Sequence, residues 1–440
     1  MRTERQARKI DRDSPMRIVL ATIGTLGDLH PVLRLAIELR RQGHEVTVAS
    51  SEAYRPLVET TLVSFRAIRP NLVPDPKRIR YLFDQRRGPE RLIRDLMMPI
   101  AREMYADLLP LVQNADLLIA SELVYPAPAI SERLEVPWLS LITAPVSFFS
   151  VYDPPVIPPA PFLHRLRYLG PWTHRFLNRL IRIATWDWSA PLRQLRRELG
   201  LPRSQNPLFE GKHSPYGSLA IFSPCFGRPQ ADWPPSAIQT GFIFYDGQLG
   251  RSDLLRRFLH SGEAPVVFTL GSGAIYAAGD FYRIAFEAAR RLGRRAIFLL
   301  GDNAPPQTSS QDFYFASYLP FSLVFPGAVA VVHQGGVGTC AQALRAGCPS
   351  LVIPFGFDQL DNAYRMRRLG VARSLPRGRL GVKTLIQELR PLLADAEFKN
   401  KALAVSGEIA LEDGVKHAVR VVESVLEKRA ASTLIYRRKP

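Results

Sequence analysis

The chain has 440 residues, of which 46% are hydrophobic, 22% charged and 10% aromatic. These values are ordinary for a globular protein and exclude a disordered or fibrous chain. The length is enough for two large domains, each with a sizeable core. The 58 basic residues exceed the 40 acidic ones and give a net charge of +18. An excess of this size directs attention to anionic partners, either nucleic acid or an anionic membrane surface.

Several features that the sequence lacks limit the possible partners and the cellular compartment. It shows neither a zinc-finger spacing nor the aromatic strand motif of RNA-binding sheets, so no nucleic-acid partner is predicted. Cys225, Cys340 and Cys348 form no CxxC pair, which fits a reducing compartment. The N-terminus is charged where a signal peptide would be apolar, and the most apolar window, residues 138–152, is too short to cross a membrane. We therefore expect a cytoplasmic protein, with the inner membrane face as a further location.

In chain order, the hydrophobic pattern alternates between buried strands and amphipathic helices. After a charged leader, expected to be mobile, a strand is predicted at residues 17–23, a helix at 29–42 and a strand at 44–50. Further strands are predicted at residues 116–121, 138–142, 265–270, 296–300, 328–332 and 349–353, with a helix at 281–292. This alternation indicates an α/β protein with two Rossmann-like, doubly wound parallel-sheet domains facing each other across a cleft.

The predicted boundary between the two domains is placed at residues 241–262, where the composition changes to a polar stretch that contains glycine. The expected segments are a leader at 1–15, an N-terminal domain at 16–245, a linker at 246–262, a C-terminal domain at 263–425 and a basic tail at 426–440.

A glycine-rich turn follows the predicted strand at 328–332. His333 ends the strand, and three glycines then lead into a helix that opens near Thr339. Backbone amides at a helix N-terminus, together with the helix dipole, favour a phosphate group. The His333 ring and the Thr339 hydroxyl can add donors. A tight turn whose glycines serve packing alone is the alternative.

A second polar cluster, Asp358 and Gln359 with Asn362, follows the next predicted strand. Carboxyl ends of parallel strands meet at one edge of a sheet, so both clusters are expected in the same cleft. An Asp–Gln pair held rigidly can hydrogen-bond neighbouring hydroxyls of a sugar. The alternative is a helix N-cap with a surface amide.

Together the two clusters resemble the donor-binding signature of the UDP-glycosyltransferase superfamily, whose members have the GT-B fold. The HxGGxGT loop of that family matches residues 333–339, and its PxxxDQxxNA segment matches residues 354–363. The segments at 24–50 and 266–273 also resemble the loops that open the two domains of these enzymes. The similarity points to a bacterial branch acting on sterols, rhamnolipids or polyketides. It is weakest at residues 150–215, the region expected to set acceptor choice.

The resemblance implies a nucleotide-diphosphate sugar as co-substrate, with no other cofactor and no metal. The only DxD motif, at residues 11–13, lies in the leader. The implied diphosphate ligands are Ser272, His333, Gly335, Gly336, Gly338 and Thr339. Tyr318, Leu319 and Gln342 would bind the base and ribose, and Asp358 and Gln359 the transferred sugar.

Gln342 departs from the family pattern, because many members have a Glu there that accepts from both ribose hydroxyls. A neutral amide accepts less strongly than a carboxylate. Both a UDP-linked and a dTDP-linked donor therefore stay open.

Asp28 is the expected general base, because it lies at the mouth of the first strand–helix turn. An inverting transfer needs a group that removes the proton of the acceptor hydroxyl, and a partly desolvated carboxylate can do so. Two alternatives remain: Asp28 only caps the helix, or the neighbouring His30 is the base.

Aromatic residues suggest where an apolar acceptor and a membrane would bind. Phe148, Phe149 and Tyr152 follow a predicted strand and are expected to line an acceptor pocket, the alternative being simple core. Residues 162–188 interleave arginines with large aromatics. That pattern suits a helix in an anionic membrane interface, or a solvated helix face whose arginine stems cover apolar surface.

The sequence thus predicts an inverting, metal-independent glycosyltransferase. It would move a hexose, glucose or rhamnose, from a nucleotide-diphosphate sugar to a hydroxyl of a lipophilic acceptor such as a glycolipid, sterol or polyketide-like molecule. The alternatives are a nucleotide-sugar epimerase on the same fold and a catalytically silent partner that binds a nucleotide sugar or membrane.

Overall fold

The computed structural model describes residues 15–71, 75–203, 205–247, 253–306 and 310–436. The first of its two sheets is parallel and has seven strands in the order β3-β2-β1-β4-β5-β6-β7. These strands are Arg17–Ala21 (β1), Glu45–Ser50 (β2), Ser64–Ala67 (β3), Leu117–Ser121 (β4), Trp138–Ile142 (β5), Ser218–Ala220 (β6) and Ala237–Gln239 (β7).

The second sheet is also parallel and has six strands in the order β10-β9-β8-β11-β12-β13. Its strands are Val266–Thr269 (β8), Ala296–Leu299 (β9), Phe313–Ala316 (β10), Ala330–His333 (β11), Ser350–Val352 (β12) and Ala372–Ser374 (β13). In both sheets the chain starts in the middle, moves to one edge and then crosses to the other side. The prediction of two doubly wound parallel sheets is therefore confirmed.

Helices connect the strands of both sheets. Those around the first sheet are Leu26–Arg41 (α1), Arg55–Glu59 (α2), Pro76–Leu82 (α3), Gly88–Glu90 (α4), Ala101–Val112 (α5), Ala127–Leu134 (α6), Pro171–Ala184 (α7) and Ala190–Glu198 (α8). Those that follow are Asp253–His260 (α9), Gly271–Ala274 (α10), Phe281–Arg291 (α11), Phe321–Val324 (α12), Val337–Arg345 (α13), Gln359–Arg368 (α14), Val382–Ala394 (α15), Ala396–Ala410 (α16) and Gly414–Tyr436 (α17). A π-helical stretch spans Arg91–Met97, and a 3₁₀ stretch spans Pro161–Leu169.

Alternation along the strands explains why both faces of each sheet are covered. In β1, Val19 belongs to the core cluster formed with α5, α6 and α8, whereas Leu20 belongs to the cluster formed with α1 and α17. Successive side chains of a strand point to opposite faces of the sheet, so a strand that is apolar at every position must be buried on both faces.

The last helix, α17, returns to the first sheet. Its residues Ala418, Val422 and Leu426 are buried in the same cluster as Leu20. The expected boundary at residue 425 falls inside this helix, and the predicted tail begins within it. The predicted leader lies outside the described residues, apart from residue 15. The division of the chain into domains stays a prediction.

Buried apolar and ionic contacts join the two halves. One core cluster contains Phe222 and Phe226 from the first half and Met366 from α14. Beside it, the guanidinium of Arg365, 1% exposed, donates from Nε to Asp361 Oδ2 at 2.7 Å and from Nη1 to Asp153 Oδ2 at 2.5 Å. Asp361 Oδ1 also accepts the backbone N–H of Val156 at 3.0 Å. The loop after β5 is therefore tied to α14 through a charge that is out of water.

Replacing Arg365 by methionine should destabilise the fold strongly, because two carboxylates then lose their buried cation. Breaking a buried ion pair on one side costs about 3–5 kcal/mol. Arg368→Met is the matched control, since Arg368 lies on the same helix, pairs with the same Asp153 at 2.9 Å and has a side chain 43% exposed. Its loss should cost less than about 1 kcal/mol. Urea denaturation measures both, and equal losses would contradict the assignment.

Candidate active site between the two sheets

The carboxyl ends of the two sheets face each other, and glycines allow the opposing turns to approach closely. A Cβ built on Gly338 of α13 would lie 3.6 Å from Gly27 Cα of α1, and one on Gly273 of α10 would lie 3.0 Å from Thr25 Cγ2. The Ser272 hydroxyl accepts the backbone N–H of Leu26 at 3.1 Å. The first turns of α1, α10 and α13 thus surround one narrow cleft.

Asp28 is the third residue of α1 and both caps the helix and faces the cleft. Its Oδ2 accepts the backbone N–H of Thr25 at 2.7 Å and the Thr25 hydroxyl at 3.2 Å, forming a capping box. This cap explains why the helix begins at Leu26, three residues before its predicted start. Gly24 has φ +145°, and a Cβ there would lie 2.2 Å from Asp28 Oδ2. Only glycine leaves room for the carboxylate in this position.

The surroundings of Asp28 favour its protonated form more than water does. Burial raises the pKa of Asp28 to about 6, against the lowering effect of the Thr25 hydrogen bonds. The nearby charge of Glu122 raises it further. A carboxyl group with this pKa is ionised at neutral pH and holds a proton more strongly than an exposed one, as a general base must.

His30 faces different neighbours from Asp28. Its ring lies 5.2 Å from that of Tyr245, at the end of the first half of the chain. Burial lowers the pKa of His30 to about 4, and the opposing effect of Asp246 is smaller. The imidazole is therefore neutral, and the structure does not place it with Asp28.

His333, at the end of β11, is fully buried and has one ring nitrogen in use. Its Nδ1 accepts the backbone N–H of Gly335 at 3.1 Å, which leaves the proton of the neutral ring on Nε2. Burial lowers the pKa of His333 to about 3, so the ring is neutral. Nε2 is buried without a hydrogen-bond partner in the described part of the chain. It is a donor that a ligand at the glycine turn can satisfy.

The glycine turn is shaped by Gln334, which sequence reasoning missed. A Cβ on Gly271 or Gly336 would lie 2.4 Å or 2.8 Å from Gln334 Nε2, so this buried amide fits between the two glycine turns. The amide also lies 3.4 Å from the Thr339 hydroxyl. Position 334 varies freely in the motif that carried the resemblance, and no signal in the sequence marked it.

Asp358 and Gln359 lie at the N-terminus of α14, where they do different things. Asp358 Oδ2 accepts from Asn362 Nδ2 at 2.7 Å and does not cap the helix. Burial raises the pKa of Asp358 to about 7, and the charge of Asp28 across the cleft raises it as well. Gln359 Oε1 accepts the backbone N–H groups of Phe355 and Gly356, at 2.8 Å and 3.1 Å. Its oxygen therefore holds the loop, and only its amide nitrogen is left for a sugar.

The expected base and ribose residues lie at the other end of α13. Tyr318 is 59% exposed, as a stacking surface would be, whereas the Leu319 side chain packs against the core. Gln342 Nε2 lies 3.5 Å from Asp246 Oδ1, and Arg345 Nη1 contacts both oxygens of that carboxylate at 2.9 Å and 3.0 Å. Position 342 lacks the carboxylate that many family members have, but the carboxylate of Asp246, in the predicted linker, lies beside it.

The three aromatic acceptor candidates do not share one wall. Phe148 stacks on Trp233, with ring centroids 4.0 Å apart, and on His213 at 5.3 Å. Phe149 has φ +48° and turns to the opposite cluster, where its ring lies 4.9 Å from that of Phe209. Tyr152 is 50% exposed.

A part-buried ion pair at the end of β4 is a second feature that sequence reasoning missed. Glu122 Oε1 pairs with Lys212 Nζ at 3.0 Å, and its Oε2 accepts the Ser147 hydroxyl at 2.7 Å. Ninety residues separate the two charges. The one available signal was the position of Glu122 directly after a buried strand, at the carboxyl edge of the sheet.

Neither a metal-binding cluster nor a membrane-spanning helix is found among the described residues. They contain no group of three or more His, Cys, Asp or Glu side chains placed to hold a metal ion. No helix among them is both long and apolar enough to cross a membrane. The DxD motif of the leader lies outside the described residues.

Two family models match the chain. The glycosyltransferase family 28 N-terminal domain matches residues 18–152, and the C-terminal domain of erythromycin biosynthesis protein CIII-like proteins matches residues 296–424. The first match contains the Asp28 turn, and the second contains the glycine turn and α14.

Individual proteins are similar over nearly the whole chain. O-mycaminosyltylonolide 6-deoxyallosyltransferase from Streptomyces fradiae is 33% identical over 95% of this chain and 99% of its own. Sterol 3-beta-glucosyltransferase UGT80A2 from Arabidopsis thaliana is 28% identical over 92% of this chain and 65% of its own. The structure of spinosyn rhamnosyltransferase SpnG complexed with thymidine diphosphate has a TM-score of 0.67 at 19% identity, covering 93% of this chain and 100% of its own.

The structural similarity confirms the fold expected from the sequence, and the sequence similarity extends to the loops that form the cleft. The chain belongs to the GT-B glycosyltransferases, in the group that includes the macrolide and polyketide enzymes.

Proposed function

We propose that this glycosyltransferase inverts the anomeric centre of a hexose, with Asp28 as the general base. The observation that carries the proposal is the position of Asp28. Its carboxylate, which has a raised pKa, lies at the cleft, across from Asp358 and beside the glycine turn that leads into α13. A base and a sugar-binding carboxylate on opposite walls suit attack from the side opposite to the leaving group.

In the proposed step, Asp28 accepts the proton of the acceptor hydroxyl while the oxygen of that hydroxyl bonds to the anomeric carbon. The bond from that carbon to the diphosphate oxygen breaks, and the electron pair leaves with the nucleoside diphosphate. The backbone amides at the N-terminus of α13 and the Nε2–H of His333 would donate hydrogen bonds to the negative charge that develops on the diphosphate. Donors already in place stabilise such charge without reorganisation. Gly335, Gly336, Gly338, Thr339 and Ser272 would complete the diphosphate site.

The proposed donor is a UDP- or dTDP-linked hexose, glucose or rhamnose. Among the relatives, one is named a glucosyltransferase and one a 6-deoxyallosyltransferase, and a structural neighbour holds thymidine diphosphate. Tyr318 would stack on the base, and Asp358 with the Gln359 amide nitrogen would bind the sugar. Gln342 leaves both nucleotide series open.

The proposed acceptor is a lipophilic molecule bearing a hydroxyl, such as a glycolipid, sterol or polyketide-like compound. The relatives named for a sterol and for a tylonolide support this class. Of the predicted pocket residues, Tyr152 is the most open to a ligand, and Phe148 and Phe149 would act through the aromatic clusters behind it. A cytoplasmic protein that meets its acceptor at the inner membrane face fits this chemistry. The relatives are named as transferases, which does not favour an epimerase or a silent partner.

A thermal-shift panel followed by product analysis tests the proposed function. The ligands are UDP, dTDP, UDP-glucose, UDP-N-acetylglucosamine and dTDP-rhamnose. A ligand at 100 times its Kd stabilises the folded state by about 2.7 kcal/mol, enough to move the melting midpoint. We expect one nucleotide series to do so, and the corresponding sugar to appear on a sterol or macrolactone acceptor. A changed sugar without acceptor would identify an epimerase, and no shift with any ligand would favour the silent partner.

Asp28→Asn should lower turnover about 10²- to 10⁴-fold, because the amide cannot take the proton. The amide oxygen can still accept the Thr25 N–H, so donor binding should change little. In the wild type, kcat/KM should fall about tenfold per pH unit below about pH 6, where Asp28 becomes protonated. His30→Gln is the control and should keep both turnover and this acid limb. Unimpaired turnover of the D28N variant would remove Asp28 as the base.

Asp358→Ala should weaken binding of the intact sugar donor and spare that of the bare nucleoside diphosphate. The reason is that Asp358 would contact only the sugar, whereas the diphosphate is bound by the glycine turn. Isothermal titration with both ligands measures the difference. Equal losses for the two ligands would place Asp358 outside the sugar site.

A further inference from the structure

The largest concentration of exposed apolar side chains lies on the segment that contains α7. Of sixteen large hydrophobic residues that the described structure leaves exposed, eight fall within residues 162–186. Four of them are on α7 itself: Trp172 (67% exposed), Phe176 (58%), Leu180 (46%) and Ile183 (66%). Scattered apolar residues are normal at a surface, whereas a contiguous group marks an interaction site.

These four residues occupy one face of the helix, which we call the α7 outer face. Their spacing of four, four and three residues places them in a single stripe. The opposite face is occupied: Thr173 and His174 are buried, and Asn178 Nδ2 donates to the carbonyl of Phe149 at 2.7 Å. The helix is thus packed against the loop that carries the predicted acceptor residues, while its outer face has no partner in the described chain.

The α7 outer face also carries positive charge. Arg175 and Arg179 are exposed and alternate with the apolar residues along the stripe, and Arg165 precedes them. None of the three forms an ion pair or a side-chain hydrogen bond within the described residues. Asp187 is the only acidic residue at 162–188. The apolar stripe therefore comes with arginines that form no ion pair, whereas Arg182 of the same helix pairs with Glu210.

The combination of an apolar stripe with unpaired arginines favours a lipid bilayer over a second copy of the chain as the partner of this face. A second copy packed by two-fold symmetry would bring the same surface against itself, and hence arginines against arginines. An anionic bilayer offers both complements, with lipid phosphates for the arginines and the acyl boundary for the aromatic and aliphatic side chains. We propose that the α7 outer face docks the protein on an anionic lipid bilayer, with the loop of Phe149 held close behind it.

Co-sedimentation of the full chain with vesicles tests the proposal independently of turnover. The vesicles are phosphatidylcholine with and without phosphatidylglycerol, at low and high salt. The wild type should bind the anionic vesicles and lose affinity as salt rises, because the arginine contribution is screened. Blue-shifted tryptophan emission should accompany binding, since Trp172 and Trp186 are exposed in the free protein.

Two pairs of double variants locate the surface. R175Q/R179Q should lower the partition coefficient on anionic vesicles about 25-fold, from roughly five-fold for each arginine at the surface. R390Q/R420Q removes the same charge from other exposed positions and should change it less than about two-fold. W172S/F176S should weaken binding even at high salt, whereas L254S/L411S, at residues 67% and 88% exposed, should not. Unchanged melting midpoints exclude misfolding.

Several results would overturn the docking proposal. One is a wild type that prefers neither vesicle; another is equal loss in the α7 variants and their controls. A wild-type dimer that W172S/F176S dissociates, with no vesicle binding, would assign the face to a second copy. None of these outcomes affects the thermal-shift result with the nucleotide ligands. Failure of the docking proposal is therefore distinguishable from failure of the proposed function.

Discussion

The buried guanidinium of Arg365 is the contact on which the relative position of the two sheets depends. It lies on α14 of the second sheet and is neutralised by Asp361 of the same helix and by Asp153, 212 residues earlier in the chain. A charge taken out of water is tolerated only while its partners stay in place, so other placements of the two halves leave an unpaired ion in an apolar region. Because Asp358 directly precedes α14, this ion pair positions the predicted sugar site against the predicted acceptor loop.

That placement brings together groups which neither sheet positions alone. Asp28 lies in the first turn of α1, after β1, and Asp358 is the residue directly before α14, after β12. Burial in the cleft raises the pKa of both carboxyl groups, and the charge of Asp28 raises that of Asp358 further. Gly24 leaves room for the Asp28 carboxylate, and Gly27 and Gly338 let the opposing turns approach each other. The geometry that suits transfer of a sugar therefore depends as much on missing side chains as on the carboxylates.

The predicted acceptor side has the opposite character, because it is built from aromatic clusters and from a helix with two different faces. Through Asn178, α7 holds the loop of Phe149, and its outer face presents tryptophan, phenylalanine and arginine to solvent. If that face meets a bilayer, a lipophilic acceptor need travel only a short path from membrane to base. The protein would then keep its charged donor in the polar cleft and draw its acceptor from an apolar phase.

The sequence by itself determined the alternation of strands and helices, the two parallel sheets, and the local motifs at Asp28, His333 and Asp358. These features leave a signal because they depend on periodicity or on turns of a few consecutive residues. Contacts between distant segments leave no such signal, and only the tertiary structure decided them. In the tertiary structure, Glu122 pairs with Lys212, and Asp246 lies beside Gln342. Phe148 and Phe149 pack in different core clusters, and α17 packs on the first sheet. The physical reason is that burial, charge pairing and close approach act between neighbours in space, whatever their separation along the chain.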